Sequence, residues 1–218
     1  MKRIFLGLIL LFTIFVSYSQ KDEFQPEWAF GANSGLTFSK MRFYPRIPQD
    51  LLRQVEGGIT VRYISEKHFG IQCELNYSLR GWTERTDTIA HFNKYARSLA
   101  YLELPLMTHL YFDLGKKARL VFNAGPQVGC HLNEKILKKE INTVSDEYSG
   151  YYDQNVQQKF DYGIGGGMGF EIRTNIGSFI LEGRYYFGLS DIFSSSKADY
   201  FQASSPQIIE IKLTYLYH

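Results

Sequence analysis

The chain lacks what a membrane-spanning helix or a catalytic centre would need. Beyond residue 19, no apolar run approaches the roughly 18 residues required for a spanning helix. Its two cysteines, Cys73 and Cys130, suffice for one disulfide at most. The five histidines show no metal-ligand spacing, and neither H-E-x-x-H nor G-x-S-x-G occurs. The glycine run from Gly163 to Gly169 fails as a dinucleotide loop, because Met168 and Phe170 stand where the third glycine would be. Excess charge is missing as well. The chain has 24 basic and 22 acidic residues, and without Lys2 and Arg3 the numbers are equal. That balance gives no footprint for nucleic acid. No metal, cofactor or enzymatic activity is expected.

What is present begins with an address. Lys2 and Arg3 precede an apolar run from Ile4 to Val16, and Ser17-Tyr18-Ser19 offers small residues for signal-peptide cleavage before Gln20. Residues 1–19 therefore read as a signal peptide and 20–218 as one domain. That domain alternates with period two. From Ser178 to Leu189, Phe179, Leu181, Gly183, Tyr185, Phe187 and Leu189 share one face, while Glu182 and Arg184 lie on the other. Ile209, Ile211, Leu213, Tyr215 and Tyr217 likewise oppose Glu210, Lys212 and Thr214. Such alternation means β-strand between unlike environments.

The pattern predicts strands over Trp28–Phe38, Val55–Ile64, His68–Arg80, Ser98–Asp113, Ala118–Gly129, Lys159–Arg173, Ser178–Leu189 and Gln207–Tyr217. Connections alternate in length. Ser65–Lys67, Leu114–Lys117 and Thr174–Gly177 are tight; Ser39–Gln54, Gly81–Arg97, Cys130–Gln158 and Ser190–Pro206 are long and polar. Outer-membrane barrels show this asymmetry, with short periplasmic turns and longer extracellular loops. The expected fold is all-β: an eight-stranded antiparallel up-and-down transmembrane β-barrel with both termini periplasmic. A short helical turn is expected within Pro45–Gln54.

Bulky apolar residues are too numerous on every strand for a lumen this narrow, so the apolar faces belong in lipid and the charged faces inside. Gly163, Gly165, Gly167 and Gly169 share the polar face with Asp161 and Glu171, leaving room for long side chains from neighbouring strands. Two aromatic girdles are expected. One gathers Trp28, Phe30, Tyr63, Phe69, Tyr111, Phe112, Tyr215 and Tyr217 near the short turns. The other gathers Tyr77, Trp82, Phe160, Tyr162, Tyr185 and Phe187 near the long loops.

The sequence resembles the PorT-like outer-membrane β-barrels, small eight-stranded proteins often grouped as a "porin family". The resemblance rests on Gly31-Ala-Asn-Ser-Gly35-Leu-Thr-Phe-Ser39, His68-Phe-Gly70-Ile-Gln-Cys-Glu74-Leu-Asn-Tyr77-Ser and Tyr101-Leu-Glu103-Leu-Pro105-Leu. Ala124-Gly125-Pro126, the glycine stripe and Gly183-Arg184-Tyr185 continue it. It implies the outer membrane of a Gram-negative bacterium, and some members are associated with protein export machinery. The aromatic end, Tyr215 and Tyr217, is family-like, but the last residue is His218.

The functional expectation is a structural or binding barrel acting through its extracellular loops. The alternatives are a narrow porin and an outer-membrane lipid-modifying enzyme, for which Ser98 with His91 or His131 would be the candidates. Expected partners are outer-membrane lipid, the barrel-assembly machinery and a protein or glycan. Tyr148, Tyr151 and Tyr152 in the longest loop are candidate contacts. A turn centred at about residue 197 sets Arg184 opposite Glu210 and Glu182 opposite Lys212. A turn at about residue 91 sets Arg80 opposite Glu103 and Glu74 opposite His109. These eight form the expected charge network plugging the lumen. Cys73 and Cys130 differ in height by about 18 Å, so free thiols are expected.

Overall fold

The computed structural model describes residues 24–84, 94–140, 155–193 and 202–218. Eight long strands make the wall: β1 (Glu27–Tyr44), β3 (Leu52–Glu66), β4 (Phe69–Glu84), β5 (Lys94–Asp113), β6 (Ala118–Glu140), β7 (Phe160–Thr174), β8 (Gly177–Gly188) and β9 (Ala203–Tyr217). A two-residue strand, β2 (Gln49–Asp50), pairs with the upper end of β4. Each long strand pairs antiparallel with its sequence neighbours, and β1 pairs with β9 from Phe30↔Tyr217 to Tyr44↔Ala203. The ring is closed, as hydrocarbon requires, because an open edge would leave backbone groups unpaired. The expected signal peptide, residues 1–19, lies outside the described residues.

The three short turns each contain one residue in the left-handed region: His68 (φ 72°), Gly115 (φ 130°) and Gly177 (φ 135°). Glycine adopts that backbone freely. His68 does not, and two bonds hold it there: Tyr111 N–H donates to its carbonyl at 3.2 Å, and its Nδ1 lies 2.9 Å from Tyr111 O.

Several long connections prove to be partly strand. β1 continues to Tyr44, β4 to Glu84 and β6 to Glu140, while β5 begins at Lys94. Pro45–Gln54 forms no helical turn; β2 and the start of β3 lie there instead. On β1 the cause is an inversion of polarity along the strand. From Asn33 to Ser39, β1 turns polar residues or glycine inward and apolar or small ones outward. Above it Met41 and Phe43 point inward and Lys40 and Arg42 outward. The strand continues through the point where its surroundings change from lipid to water.

The interior has three tiers. At the short-turn end, Ala29, Ile64, Tyr111, Val121, Ile180 and Leu216 form an apolar cluster inside the ring. Charged and amide side chains fill the middle. At the long-loop end, Met41, Phe43, Trp82, Tyr95, Leu99, Tyr101, Ile192 and Phe193 form a second apolar cluster. Phe43 and Trp82 meet edge to face with ring centroids 5.3 Å apart. Tyr111 and Trp82 therefore do not belong to the girdles; both are buried in the lumen, on the same strand faces as His109 and Arg80. Tyr77, Phe160, Tyr162 and Tyr185 do face outward.

Candidate functional site: the charged lumen

The middle tier is assembled from inward positions of all eight long strands, its amides including Asn33 on β1 and Asn123 and Gln127 on β6, and its charged residues coming from the other six. Arg62 on β3 makes a bidentate contact with Glu171 on β7, at 3.0 and 2.8 Å. Glu74 on β4 is the most heavily bonded acid. It accepts from Arg184 Nη2 (2.6 Å), Gln72 Nε2 (2.8 Å), Asn76 Nδ2 (2.9 Å) and Lys212 Nζ (3.0 Å). Arg184 on β8 also donates to Glu182 at 2.6 and 2.9 Å. Arg80 on β4 reaches Asp161 at 2.7 Å and Glu103 at 3.2 Å, with its guanidinium 3.5 Å from the centroid of the Tyr101 ring. Tyr186 donates to Asp161 at 2.7 Å, and Ser190 donates to the other oxygen of the same carboxylate.

Carboxylates outnumber cations in this connected set. Glu56, Glu74, Glu103, Asp161, Glu182 and Glu210 are served by Arg80, Arg184 and Lys212. The surplus gathers in one corner, where oxygens of Glu56, Glu103 and Glu210 lie within 4.8 Å of one another. Lys212 approaches that corner at 3.2 Å from Glu56 and 3.8 Å from Glu210, and Arg80 at 3.2 Å from Glu103. An all-oxygen trio is the donor set of a hard cation. Here two side-chain cations already flank it.

All eight residues expected in the lumen network are buried inside the ring. The β8–β9 register is the expected one, with Arg184 opposite Glu210 and Glu182 opposite Lys212. Opposition does not decide the ion pairs, however. Arg184 bonds Glu74 across the lumen, and Lys212 reaches Glu56 and Glu74. The expected β4–β5 register is incorrect by four residues: Glu103 faces Asn76, His109 faces Gly70 and Arg80 faces Leu99. Arg80 still reaches Glu103. Glu74 and His109 are not partners, and His109 Nδ1 lies 2.7 Å from Asn123 Oδ1. The glycine stripe does make room as expected. A Cβ on Gly167 would sit 2.7 Å from Arg184 Cγ, and one on Gly163 would sit 2.7 Å from the Tyr186 ring.

Tyr148, Tyr151, Tyr152 and His91 lie outside the described residues. Ser98 accepts a hydrogen bond from Gln54 and is opposite Lys135, whereas His131 is opposite Tyr101. Among the described residues, no hydrogen bond joins Ser98 to His131. Cys73 and Cys130 are free thiols, as expected. They flank β5 at Leu106 and Leu102, so they are four residues and two strand spacings apart, about 16 Å. The separation has one component along the strands and one across them, and is not set by height alone. The cross-lumen partners and the tyrosines at Asp161 and Arg80 went unseen, although strand parity places Tyr101 and Tyr186 inside.

The outer membrane protein beta-barrel domain family matches residues 18–194. The chain belongs to that family. It is therefore an outer-membrane β-barrel protein. Among solved structures it is similar to Neisserial surface protein A (NspA), with 9% identity, TM-score 0.50, and coverage of 89% of this chain and 99% of that one. OprG from Pseudomonas aeruginosa is 11% identical, with TM-score 0.48 and coverage of 88% and 95%. Ail from Yersinia pestis is 10% identical, with TM-score 0.41 and coverage of 88% and 99%. At 9% identity, the likeness to Neisserial surface protein A carries the fold alone. No curated protein matches the chain in sequence.

Proposed function

We propose that this barrel is a sealed structural or binding protein, acting through the strands and loops above the membrane rather than conducting solutes. The observation that carries this reading is the lumen itself, an ionic tier held between two buried apolar clusters. A solute would have to displace packed aromatic side chains at one end and aliphatic ones at the other. It would also have to break ion pairs that cost several kcal/mol each to leave uncompensated. The lumen charges have the role of a plug in this reading.

The finer assignment is a PorT-like barrel of a Gram-negative outer membrane, exported by its leader and inserted by the barrel-assembly machinery. Both termini are periplasmic, and the long-loop end meets a protein or glycan outside the cell. The alternation of three tight turns with long connections supports that orientation. The test is conductance of the intact protein in planar bilayers. No stepwise current is expected, and reproducible channel steps would overturn the sealed barrel in favour of a porin. Protease added to intact cells should cut within 130–158 and spare Leu114–Lys117.

A further inference from the structure

The inner cations are all drawn into ion pairs, but a second group faces the other way. On β1 the outward positions from Trp28 to Phe38 are apolar or small, and on β3 those from Tyr63 to Val55 are likewise. Each belt matches the roughly 9–11 residues a tilted strand needs to cross the hydrocarbon. The next outward residue is Lys40 on β1, followed by Arg42, and Arg53 on β3; all three are exposed. Phe38 faces Arg53 directly. Lys40, two residues further on, is thus a diagonal neighbour of Arg53 at about 7–8 Å, with Arg42 another step of about 7 Å along the strand.

Among the described residues, no acid pairs with these charges. Lys40 and Arg42 face Gln207 and Ser205 on β9. Arg42 instead lies 5.0 Å from the centroid of the Phe187 ring, at the outer end of β8. Below the three cations the wall has a shallow, mostly apolar groove of about 420 Å³, lined by Ser34, Gly35, Leu36, Val55, Leu181, Ile211 and Leu213, with the inward-facing Glu56 also at its edge. Ser34, which lines it, carries a small side chain, and Gly183 on β8, opposite the lining Ile211, has open space where a side chain would be.

We propose that this face binds one phosphorylated, acylated lipid, with the phosphate held by Lys40, Arg42 and Arg53 and an acyl chain lying in the groove beneath. Guanidinium and ammonium groups suit phosphate oxygens, and headgroup depth removes part of the competing water. The groove favours a lipid over a soluble anion, because a free phosphate would leave it unused. Taking the long-loop end as extracellular makes this an outer-leaflet lipid; the binding site itself does not depend on that orientation.

The test uses native mass spectrometry of the full-length barrel released from detergent containing either monophosphoryl lipid A or phosphatidylcholine. One retained lipid A per chain is expected, with little retained phosphatidylcholine. The triple variant Lys40→Gln, Arg42→Gln, Arg53→Gln should lose about tenfold or more of that retention while its thermal unfolding is unchanged. Ser34→Phe, which fills the groove and leaves the cations, should also lower retention. Equal retention by the triple variant, or equal retention of phosphatidylcholine, would overturn the proposal. So would inorganic phosphate displacing lipid A at millimolar concentration. Protease accessibility on cells tests orientation separately, so the two failures are distinguishable.

Discussion

Two groups of buried acid lie a few residues apart in one lumen and are treated differently. Glu74 receives four donors from four side chains on three strands. Neither carboxylate oxygen of Glu56 accepts a hydrogen bond, nor does Oε1 of Glu103, and both residues crowd Glu210. Glu56 is relieved by its ion pair with Lys212 alone, and Glu103 by its ion pair with Arg80 and one hydrogen bond, from Gln127 Nε2 to its Oε2 at 2.9 Å. Burial of charge is thus not one condition. Around Glu74 the fold supplies the donors that offset desolvation, whereas at the Glu56 corner it concentrates like charge.

The sharpest way to break this comparison is Glu74→Ala. It strands Arg184 and Lys212 beside fewer acids and should cost roughly 3–5 kcal/mol in urea unfolding from detergent. A loss below about 1 kcal/mol would mean the donors around Glu74 do not stabilise it. Next in size is Trp82→Ala in the upper cluster, expected to cost about 3 kcal/mol or more as a cavity. If the clusters at the lumen ends are the seal, this variant should also show conductance steps absent from the native barrel.

A double-mutant cycle sharpens the picture further. Arg184→Ala with Glu74→Ala should show coupling of about 0.5–3 kcal/mol. Arg184→Ala with Glu210→Ala, which are opposed but not ion-paired, should be nearly additive. Strong coupling only in the second cycle would restore the simple cross-strand pairing. The smallest effect is expected for Glu56→Gln, a change within about 1 kcal/mol or a gain, because it removes repulsion at the crowded corner. Loss comparable to Glu74→Ala would make the two corners equivalent.

Much of the wall was legible because lipid imposes a strict rule: alternate residues must be apolar, and eight segments obeyed it. The inside was legible by the same parity, as with Arg184 and Lys212. Parity carries no height, though. The β8–β9 register followed from the midpoint of its loop, while the same reasoning misplaced β4–β5 by four residues, since a hairpin need not turn at the middle of its polar stretch. Strand ends were hidden for a different reason. Beyond Ser39 the outward face becomes charged and the inward face apolar, so a sequence read for lipid contact takes Lys40–Tyr44 as loop. Partners across the lumen were beyond reach: Arg62 and Glu171 are 109 residues apart and meet only once the ring has closed.

The chain's two tryptophans stand on opposite sides of the barrel wall. Trp28 is 56% exposed on the outer surface near the short turns, and Trp82 is 1% exposed inside the upper cluster. The molecule therefore carries its own pair of optical reporters. Brominated acyl chains should quench Trp28 and leave Trp82 emitting. Once Trp28→Phe has silenced the outer indole, the remaining emission reports the packing of the lumen alone.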